Sequence, residues 1–326
     1  MGRVKYMFKV RNILVAALAA FSAVGLAAQE ERVVPLEYGD MEHWTVRRIK
    51  ESALLGGKTK TIYVCGPADT IIANEPYDYS RTIWGISNAY ANVVGIAKAA
   101  CTTQPERRGD GWCARLDTKM ETVEVLGIVD VKVCIAGTLF LGSVREPVRS
   151  ANDPYGCIDM GMPFTGRPKA VMLDLKAKVS DEHKVTKALG LGVSTIEGHD
   201  EPEVYVYLQK RWEDEDGHIY AERVGTARHR FAKSIPDWVN GYRVDIHYGD
   251  ITSEPFFKPY MGLFPDGGQF KAENSKGRMV DIEEVGWAAP DETPTHIILM
   301  ITAGCYPAFY GAIGNALWVD NVRLVY

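Results

Sequence analysis

Short runs in which apolar and polar residues alternate constrain the fold of this chain more than any other feature. The clearest run spans residues 203–231, where Val204, Val206 and Leu208 would share one face of a strand. The acidic segment 213–217 ends in Asp-Gly, which predicts the turn of a hairpin before the chain returns. A period of two suits a strand and not a helix, so the sequence predicts β-structure.

Similar runs recur between turns that draw on 31 glycines and 16 prolines. They lie at residues 60–64, 123–135, 170–179, 242–248, 295–302 and 317–326. Only residues 88–100 have the apolar density of a helix, and their Val-Val-Gly-Ile centre favours strand. We therefore expect an all-β fold, an antiparallel β-sandwich of jelly-roll type. Late strands often pair with early ones in such folds, which predicts pairing between the two ends of the chain.

The first 27 residues have the pattern of a secretory signal peptide. Four basic side chains within residues 1–12 precede an apolar run at 13–27, which is too short and too poorly flanked for a membrane span. The run ends in Gly25-Leu26-Ala27, a small-x-small cleavage site, so the mature chain would begin near Ala28. We expect export to the periplasm, the cell surface or the medium, with no transmembrane anchor after cleavage. A retained N-terminal anchor is the alternative.

Charge and cysteine usage exclude several classes of protein. The 37 basic and 42 acidic residues form no basic stripe, so a nucleic-acid partner is not expected. The cysteines show neither CxxC nor Cys/His spacing, which argues against zinc. An exported chain permits disulfides, but the irregular spacings favour buried thiols with at most one bridge, Cys101 and Cys113 being nearest in sequence.

Four stretches, taken in order, carry a resemblance to a known family. They are residues 109–118 (GDGWCARLDT), 136–142 (AGTLFLG), 161–170 (GMPFTGRPKA) and 311–326, which ends in LWVDNVRLVY. Together they resemble the putative carbohydrate metabolism domain of Bacteroidota. The resemblance covers roughly residues 100–326.

The resemblance implies a secreted jelly-roll sandwich similar to carbohydrate-binding modules, at 100–326, preceded by an N-terminal β extension at 28–99. It implies a glycan-binding protein of a carbohydrate-utilisation system and provides no catalytic pair. A glycoside hydrolase or other carbohydrate-active enzyme is the alternative, and a structural or adhesion subunit is the third. The sequence contains no HExxH motif and no G-x-S-x-G elbow, and it does not show which carboxylates would face each other.

Aromatic side chains are the first candidates for stacking on a sugar. Tyr205 and Tyr207 alternate with the apolar face of their strand and would form a platform if exposed, or core if covered. Trp212 and Tyr220 would flank the same hairpin. Trp84, in a loop rich in Pro, Asp and Ser, would contribute to a rim site.

Arg167 is a further candidate because it lies in the proline-framed stretch PFTGRPK. One interpretation places its guanidinium at a groove, where it binds sugar hydroxyls or an acidic sugar. The other, which we favour, is that Arg167 ties two loops together through a carboxylate or carbonyl bond.

Asp320 in the last run raises a question of its own. Strict alternation places Trp318, Val322 and Leu324 on one face, with the Asp320 carboxylate in their midst. A buried carboxylate is costly unless something pairs with it.

A structural calcium ion would satisfy Asp320, as in glycan-binding jelly rolls that end on such a strand. Asp40 and Glu42, in the early turn that the resemblance includes, would complete the oxygen ligands. The alternative is that Asp320 accepts backbone N–H bonds or pairs with an arginine such as Arg323. Either way we expect Asp320 to hold the last strand near that turn, with the glycan elsewhere.

Overall fold

A computed structural model describes residues 31–326, apart from residues 94, 126–128, 151 and 191 and the side chains of residues 123–131. The predicted signal peptide lies outside the described residues. Strands dominate what is described, and its helical segments are the short 3-10 turns at Ala53–Leu55, Tyr79–Arg81 and Pro259–Met261. The predicted all-β sandwich fold is therefore confirmed, whereas its jelly-roll topology and the division at residue 100 stay predictions. No helix in the described part of the chain is long and apolar enough to cross a membrane.

The strands of the first half follow in chain order. They are β1 (Val33–Pro35), β2 (Trp44–Lys50), β3 (Thr59–Cys65), β4 (Asp69–Ile71), β5 (Trp84–Ile86), β6 (Ala89–Val93), β7 (Ile96–Ala100), β8 (Thr103–Arg108), β9 (Gly111–Asp117), β10 (Lys119–Val125), β11 (Val129–Ile135), β12 (Thr138–Val144) and β13 (Ile158–Met160). The segment with a helix-like apolar density is the hairpin β6–β7, as its β-branched centre predicted.

The strands of the second half complete the fold. They are β14 (Met162–Pro163), β15 (Ala170–Lys178), β16 (Lys184–Gly190), β17 (Gly192–Glu197), β18 (Glu203–Glu213), β19 (Ile219–Arg230), β20 (Ile235–Asp245), β21 (His247–Tyr248), β22 (Lys271–Glu273), β23 (Met279–Trp287), β24 (His296–Thr302), β25 (Tyr310–Gly311) and β26 (Ala316–Val325). The predicted hairpin is β18–β19, and Gly217 supplies the positive φ of 89° that its turn needs.

Two sheets make the layers of the sandwich. The first sheet has the order β20-β15-β26-β9-β8, with β1 also paired to β26. The second has the order β13-β12-β24-β18-β19-β23-β22, with β5, β14 and β21 at its margins. Smaller sheets are formed by β10-β11-β16-β17 with β25, by β3-β2-β4 and by β6-β7.

The two ends of the described chain meet in the first sheet. Val33 and Val325 are antiparallel partners, and the early turn is fastened to the last strand by backbone bonds. The Val322 N–H donates to the Gly39 carbonyl at 2.8 Å, and the Leu36 N–H donates to the Val322 carbonyl at 3.0 Å. The predicted pairing of the two ends is therefore confirmed.

The main core lies between the two sheets and follows the period of two. The first sheet contributes Ala114, Leu116, Val171, Leu173, Leu175, Leu317, Val319, Val322 and Leu324, and the second contributes Leu139, Leu141, Val204, Val206, Leu208, Val224, Ile297, Leu299 and Ile301. Burial of this many aliphatic side chains is the dominant stabilising contribution, at about 1.5–3 kcal/mol for each.

A β-bulge in β26 explains why the Asp320 carboxylate does not lie in the apolar core. Asn321 has a φ of +51°, and the pairing with β15 shifts register between Met172 and Asp174. The extra residue moves the alternation by one position, so that Val322 joins the core while Trp318 and Asp320 face away from it. The prediction that Trp318 shares a face with Val322 is therefore wrong.

The other face of the second sheet is covered as well. Tyr205 and Tyr207 belong to a second cluster with Phe140, Phe270 and Ile298, and both tyrosines are fully buried. Trp84 is buried too, and its Nε1 donates to the Glu37 carbonyl at 2.7 Å. A ring enclosed by protein cannot stack on a sugar, so Tyr205 and Tyr207 follow the core alternative, and the rim role expected of Trp84 is corrected to core packing.

All six cysteines are free thiols. Cys65, Cys113 and Cys134 are buried, which agrees with the prediction of buried thiols, and the bridge left open between Cys101 and Cys113 is not formed. Burial raises the pKa of the Cys134 thiol to about 12, so this thiol is protonated and unreactive at neutral pH.

Candidate functional site

The outer face of the first sheet gathers polar and aromatic side chains from five strands. We call the tryptophan face the set Arg108, Arg115, Asp174, Lys176, Trp238, Trp318 and Asp320. It forms because alternate residues of β15 and β26 point away from the main core, and because their β8, β9 and β20 neighbours do likewise.

A pair of carboxylates lies at the centre of this face. Asp174 and Asp320 are direct partners on β15 and β26. Arg108 Nη1 donates to both, at 3.0 Å to Asp174 Oδ2 and 2.5 Å to Asp320 Oδ2, so these two oxygens lie no more than 5.5 Å apart. Each aspartate is only 6% exposed. Arg108 therefore holds two like charges together that would otherwise repel each other.

The two carboxyl groups differ in their pKa. Burial raises the pKa of Asp320 above its usual value, although Arg108 opposes this. Burial also acts on Asp174, but hydrogen bonds from the Gly241 N–H, the Asn321 side chain and Arg108 lower its pKa below the usual value. Asp174 is thus the more acidic member of the pair.

Two tryptophans frame the carboxylates. The Arg108 guanidinium lies 4.0 Å from the ring centroid of Trp238. Trp318 is contacted by Lys176 at 4.3 Å and by Arg115 at 5.2 Å, and both tryptophans are half-buried. Cation–π contacts of this kind orient a ring while leaving part of its surface in water.

A hydrogen bond fixes the orientation of Trp318 further. Its Nε1 donates to Glu106 Oε1 at 2.7 Å, and Arg115 pairs with the other oxygen of Glu106 at 2.8 Å. Burial alone would raise the pKa of Glu106, but these hydrogen bonds lower it below the usual value. Glu106 is therefore ionised at neutral pH.

The three residues of the expected calcium site do not come together. Asp320 accepts from Arg108 and from the Asn321 N–H, Glu42 accepts from the Trp112 N–H, and Asp40 is exposed. Within the described ranges, no three His, Cys, Asp or Glu side chains are placed to hold a metal ion. A cation beside Asp320 would meet a guanidinium, so these residues do not fit calcium.

The alternative for Asp320 agrees with the structure, since it accepts from a backbone N–H and from an arginine, but the arginine is not Arg323. Arg108 occupies this role, whereas Arg323 reaches Asp174 at 3.4 Å. Contrary to expectation, Asp320 does not hold the last strand near the early turn, because backbone bonds fasten that turn; instead it ties β26 to Arg108 of β8 through an ion pair on the outer face.

Arg167 ties two loops together. Its guanidinium donates to the carbonyls of Glu292 and Pro290 and packs over Tyr248 at 4.2 Å. These contacts agree with the structural interpretation, because the guanidinium N–H groups that a sugar would need already donate to carbonyls of the protein.

Trp212 and Tyr220 form the second exposed aromatic feature. They are cross-strand partners whose rings stack at 5.9 Å with an interplanar angle of 29°, and Trp212 is 44% exposed. The structure thus brings the two residues together beside the hairpin turn. Their role in glycan binding stays a prediction.

The described chain also has a partly open, mostly apolar pocket of about 630 Å³ beside the second sheet. Its lining includes Phe140, Met160, Tyr155, Tyr205 and Met300. Glu203, its buried carboxylate, is already paired with Arg228 and Arg230. A polyhydroxylated sugar requires free hydrogen-bonding partners, so this pocket is a poor candidate for one.

Of the tryptophan face, sequence reasoning proposed only Asp320 as a site residue, and it missed the other six: Arg108, Arg115, Asp174, Lys176, Trp238 and Trp318. Asp174 and Lys176 do occupy the polar side of the predicted strand at 170–179, which was the available signal. Trp238 lies on a strand whose first residues show no clear alternation, so the sequence carried no signal for it.

Comparisons with known proteins indicate the family to which this chain belongs. No curated protein matches the chain. A solved structure described as a putative glycoside hydrolase from Bacteroides thetaiotaomicron is 18% identical, over 83% of this chain and 76% of that one, with a TM-score of 0.44. Another, described as a putative glycoside hydrolase from Bacteroides vulgatus, is 14% identical, over 91% of this chain and 95% of that one, with a TM-score of 0.39.

The family profile described as "putative carbohydrate metabolism domain" matches residues 67–229, which is half of the chain. The match includes Arg108, Arg115, Asp174 and Lys176 of the tryptophan face. The family resemblance inferred from the four sequence stretches is thereby confirmed: the chain belongs to the putative carbohydrate metabolism domain family.

Proposed function

We propose that this protein binds a glycan on the tryptophan face, which includes Asp320 and therefore departs from the expectation that the glycan binds away from this residue. The observation that carries the proposal is the presence of two half-buried tryptophans, each partly open to water, on one sheet face, with hydrogen-bonding charges between them. Membership of a carbohydrate-related family supports it. Trp212 and Tyr220 form a secondary platform in the same proposal.

The chemistry of the face suits a sugar. An indole ring provides an apolar surface on which the C–H face of a pyranose stacks. Asn240, whose Oδ1 accepts from Arg108 at 2.6 Å, is exposed and has an amide group that could also bind hydroxyls at the edge of the stack. Because the side chains are held by cation–π and ionic contacts, little conformational entropy is lost when a ligand binds.

A glycan array probed with residues 28–326 tests this proposal. Binding to a defined set of glycans is expected, and Trp318→Ala should abolish or strongly weaken it. The matched control is Trp112→Ala, which removes a half-buried indole that has its own arginine contact, with Arg107, and lies outside both proposed platforms. Absence of binding to any glycan would overturn the proposal.

Glycoside hydrolysis is the second candidate, and the Asp174–Asp320 pair favours it. Retaining glycosidases carry two carboxyl groups about 5–5.5 Å apart, one with a raised pKa as the acid and one ionised as the nucleophile. The upper limit of 5.5 Å and the opposite pKa shifts fit such a pair, with Asp320 as the acid. Arg108 would have to withdraw before a glycosidic bond could enter.

Reducing-sugar release, measured on the samples used for the array, separates the two functions. A hydrolase should release sugar and lose this activity in Asp320→Asn and Asp174→Asn while binding persists. Binding without release from the wild-type protein would remove the second candidate.

Export is part of the proposed function. It rests on the sequence of residues 1–27. Cell fractionation followed by N-terminal sequencing should find a mature chain beginning near Ala28 outside the cytoplasm. A chain that retains residue 1 in the cytoplasm would contradict it.

A further inference from the structure

The charges of the tryptophan face balance each other with one exception. Arg108 and Arg323 contact Asp174 and Asp320. A second group beside them is also neutral, since Arg115 and Lys119 contact Glu106 and Asp117. These groups leave no net charge on the face.

Lys176 is the exception. It forms no ion pair within 4.0 Å with a carboxylate of the described chain and acts on Glu106 only at longer range, although it is half-buried in the middle of the face. Its Nζ lies 4.3 Å from the ring centroid of Trp318 and 5.8 Å from that of Trp238. The ammonium group is therefore held between the two indoles that the proposed function assigns to sugar stacking.

Lys178 extends this positive region. It lies two residues further along β15, hence on the same side of the sheet, and is exposed. Trp318 and Lys176 are direct cross-strand partners, so a sugar stacked on Trp318 lies beside the Lys176 ammonium. A half-buried cation is less screened by water and salt than an exposed one, which strengthens its attraction for an anion.

We propose that the glycan bound by the tryptophan face is anionic, and that the carboxylate or sulfate group of one sugar pairs with Lys176. This inference rests on the proposed function and specifies its ligand. Uronic acids and sulfated sugars share the required chemistry, a fixed negative charge at the edge of a pyranose ring.

Oligosaccharide pairs that differ only in charge test the proposal. We would measure binding of an oligogalacturonate and its carboxyl-reduced counterpart, and of a chondroitin sulfate oligosaccharide and its desulfated counterpart. At least one anionic member should bind about tenfold or more tightly than its less charged partner, and added salt should reduce the difference. The member that does so identifies the anion as carboxylate or sulfate.

Variants of the lysine complete the test. Lys176→Gln should weaken binding of the anionic glycan about tenfold and leave the less charged partner unaffected, while Lys176→Arg should retain most of the affinity. Lys58→Gln, at an exposed lysine in the turn before β3, is the control and should change neither.

The outcomes separate the two levels of the proposal. Equal binding of charged and uncharged partners, unaffected by Lys176→Gln but lost in Trp318→Ala, would overturn the anionic ligand and leave glycan binding intact. If no glycan of either kind binds, the proposed function fails.

Discussion

Each of the two sheets has one face that points away from the main core, and only one of these two outer faces is covered by other parts of the protein. The outer face of the second sheet is sealed by a second apolar cluster, which encloses Tyr205 and Tyr207. The outer face of the first sheet leaves Trp238 and Trp318 half-buried and partly open to water. Both faces are generated by the same period of two, so alternation alone does not reveal which face remains available to a ligand.

On each face an arginine packs over an aromatic ring, but the two arginines differ in their exposure to water. Arg223 lies 3.5 Å from the ring centroid of Tyr207 and pairs with Glu284, and both charged side chains are fully buried. On the tryptophan face, Arg108 lies 4.0 Å from the Trp238 ring but is partly in water. Removing one partner of a fully buried ion pair strongly destabilises the fold, because the other charge is left buried and unpaired. A partly exposed ion pair can instead rearrange around a ligand.

The largest expected effect is on the covered face. Glu284→Ala leaves the guanidinium of Arg223 buried without its partner, which should lower the free energy of unfolding by about 3–5 kcal/mol. Urea denaturation measures this change. Glu283→Ala, at the neighbouring half-buried position, is the control and should cost about 1 kcal/mol or less. Equal losses in the two variants would contradict the comparison.

A smaller loss is expected on the tryptophan face. Arg108→Ala removes the cation shared by Asp174 and Asp320, and their repulsion should lower the free energy of unfolding by about 2 kcal/mol at pH 7. Addition of Asp320→Asn should recover much of this loss, because one of the two negative charges disappears. A double variant no more stable than Arg108→Ala would show that the repulsion is unimportant.

The free energy of unfolding should also depend on pH through His296, which lies on the covered face. Burial and the nearby Arg211 lower the pKa of His296 to about 4 from an ordinary value of 6.5. Since the folded state favours the neutral ring, its stabilisation is complete above pH 6.5 and decreases as the pH falls from 6.5 towards 4. Partial solvent screening limits the effect to the order of 1 kcal/mol. In thermal unfolding, His296→Gln should remove this component, and an unchanged profile would contradict the assignment.

Much of the fold follows from the sequence. The hairpin at 203–231, the strand at 170–179 and the pairing of the two chain ends each rest on local alternation or on a turn signal. The face assignment of Asp320 did not follow, because one residue of bulge at Asn321 reverses every position beyond it.

The site could be foreseen only in part, since it is assembled across strands that are distant in sequence. Arg108 and Asp320 are 212 residues apart, and only the pairing of β26 with β9, and of β9 with β8, brings them together. The burial of Tyr205 was likewise hidden, because its cover, including Phe270, comes from a later part of the chain whose packing no local pattern specifies.

Glycan binding on the tryptophan face is tested most directly by a calorimetric titration. A glycan selected on the array would be titrated into the wild-type protein, Trp318→Ala and Trp212→Ala, each first shown to unfold at the wild-type temperature. Trp318→Ala should weaken binding by about 1 kcal/mol or more, with a smaller loss in Trp212→Ala. Unchanged affinity in Trp318→Ala, with a loss only in Trp212→Ala, would place the glycan on the hairpin and contradict the account.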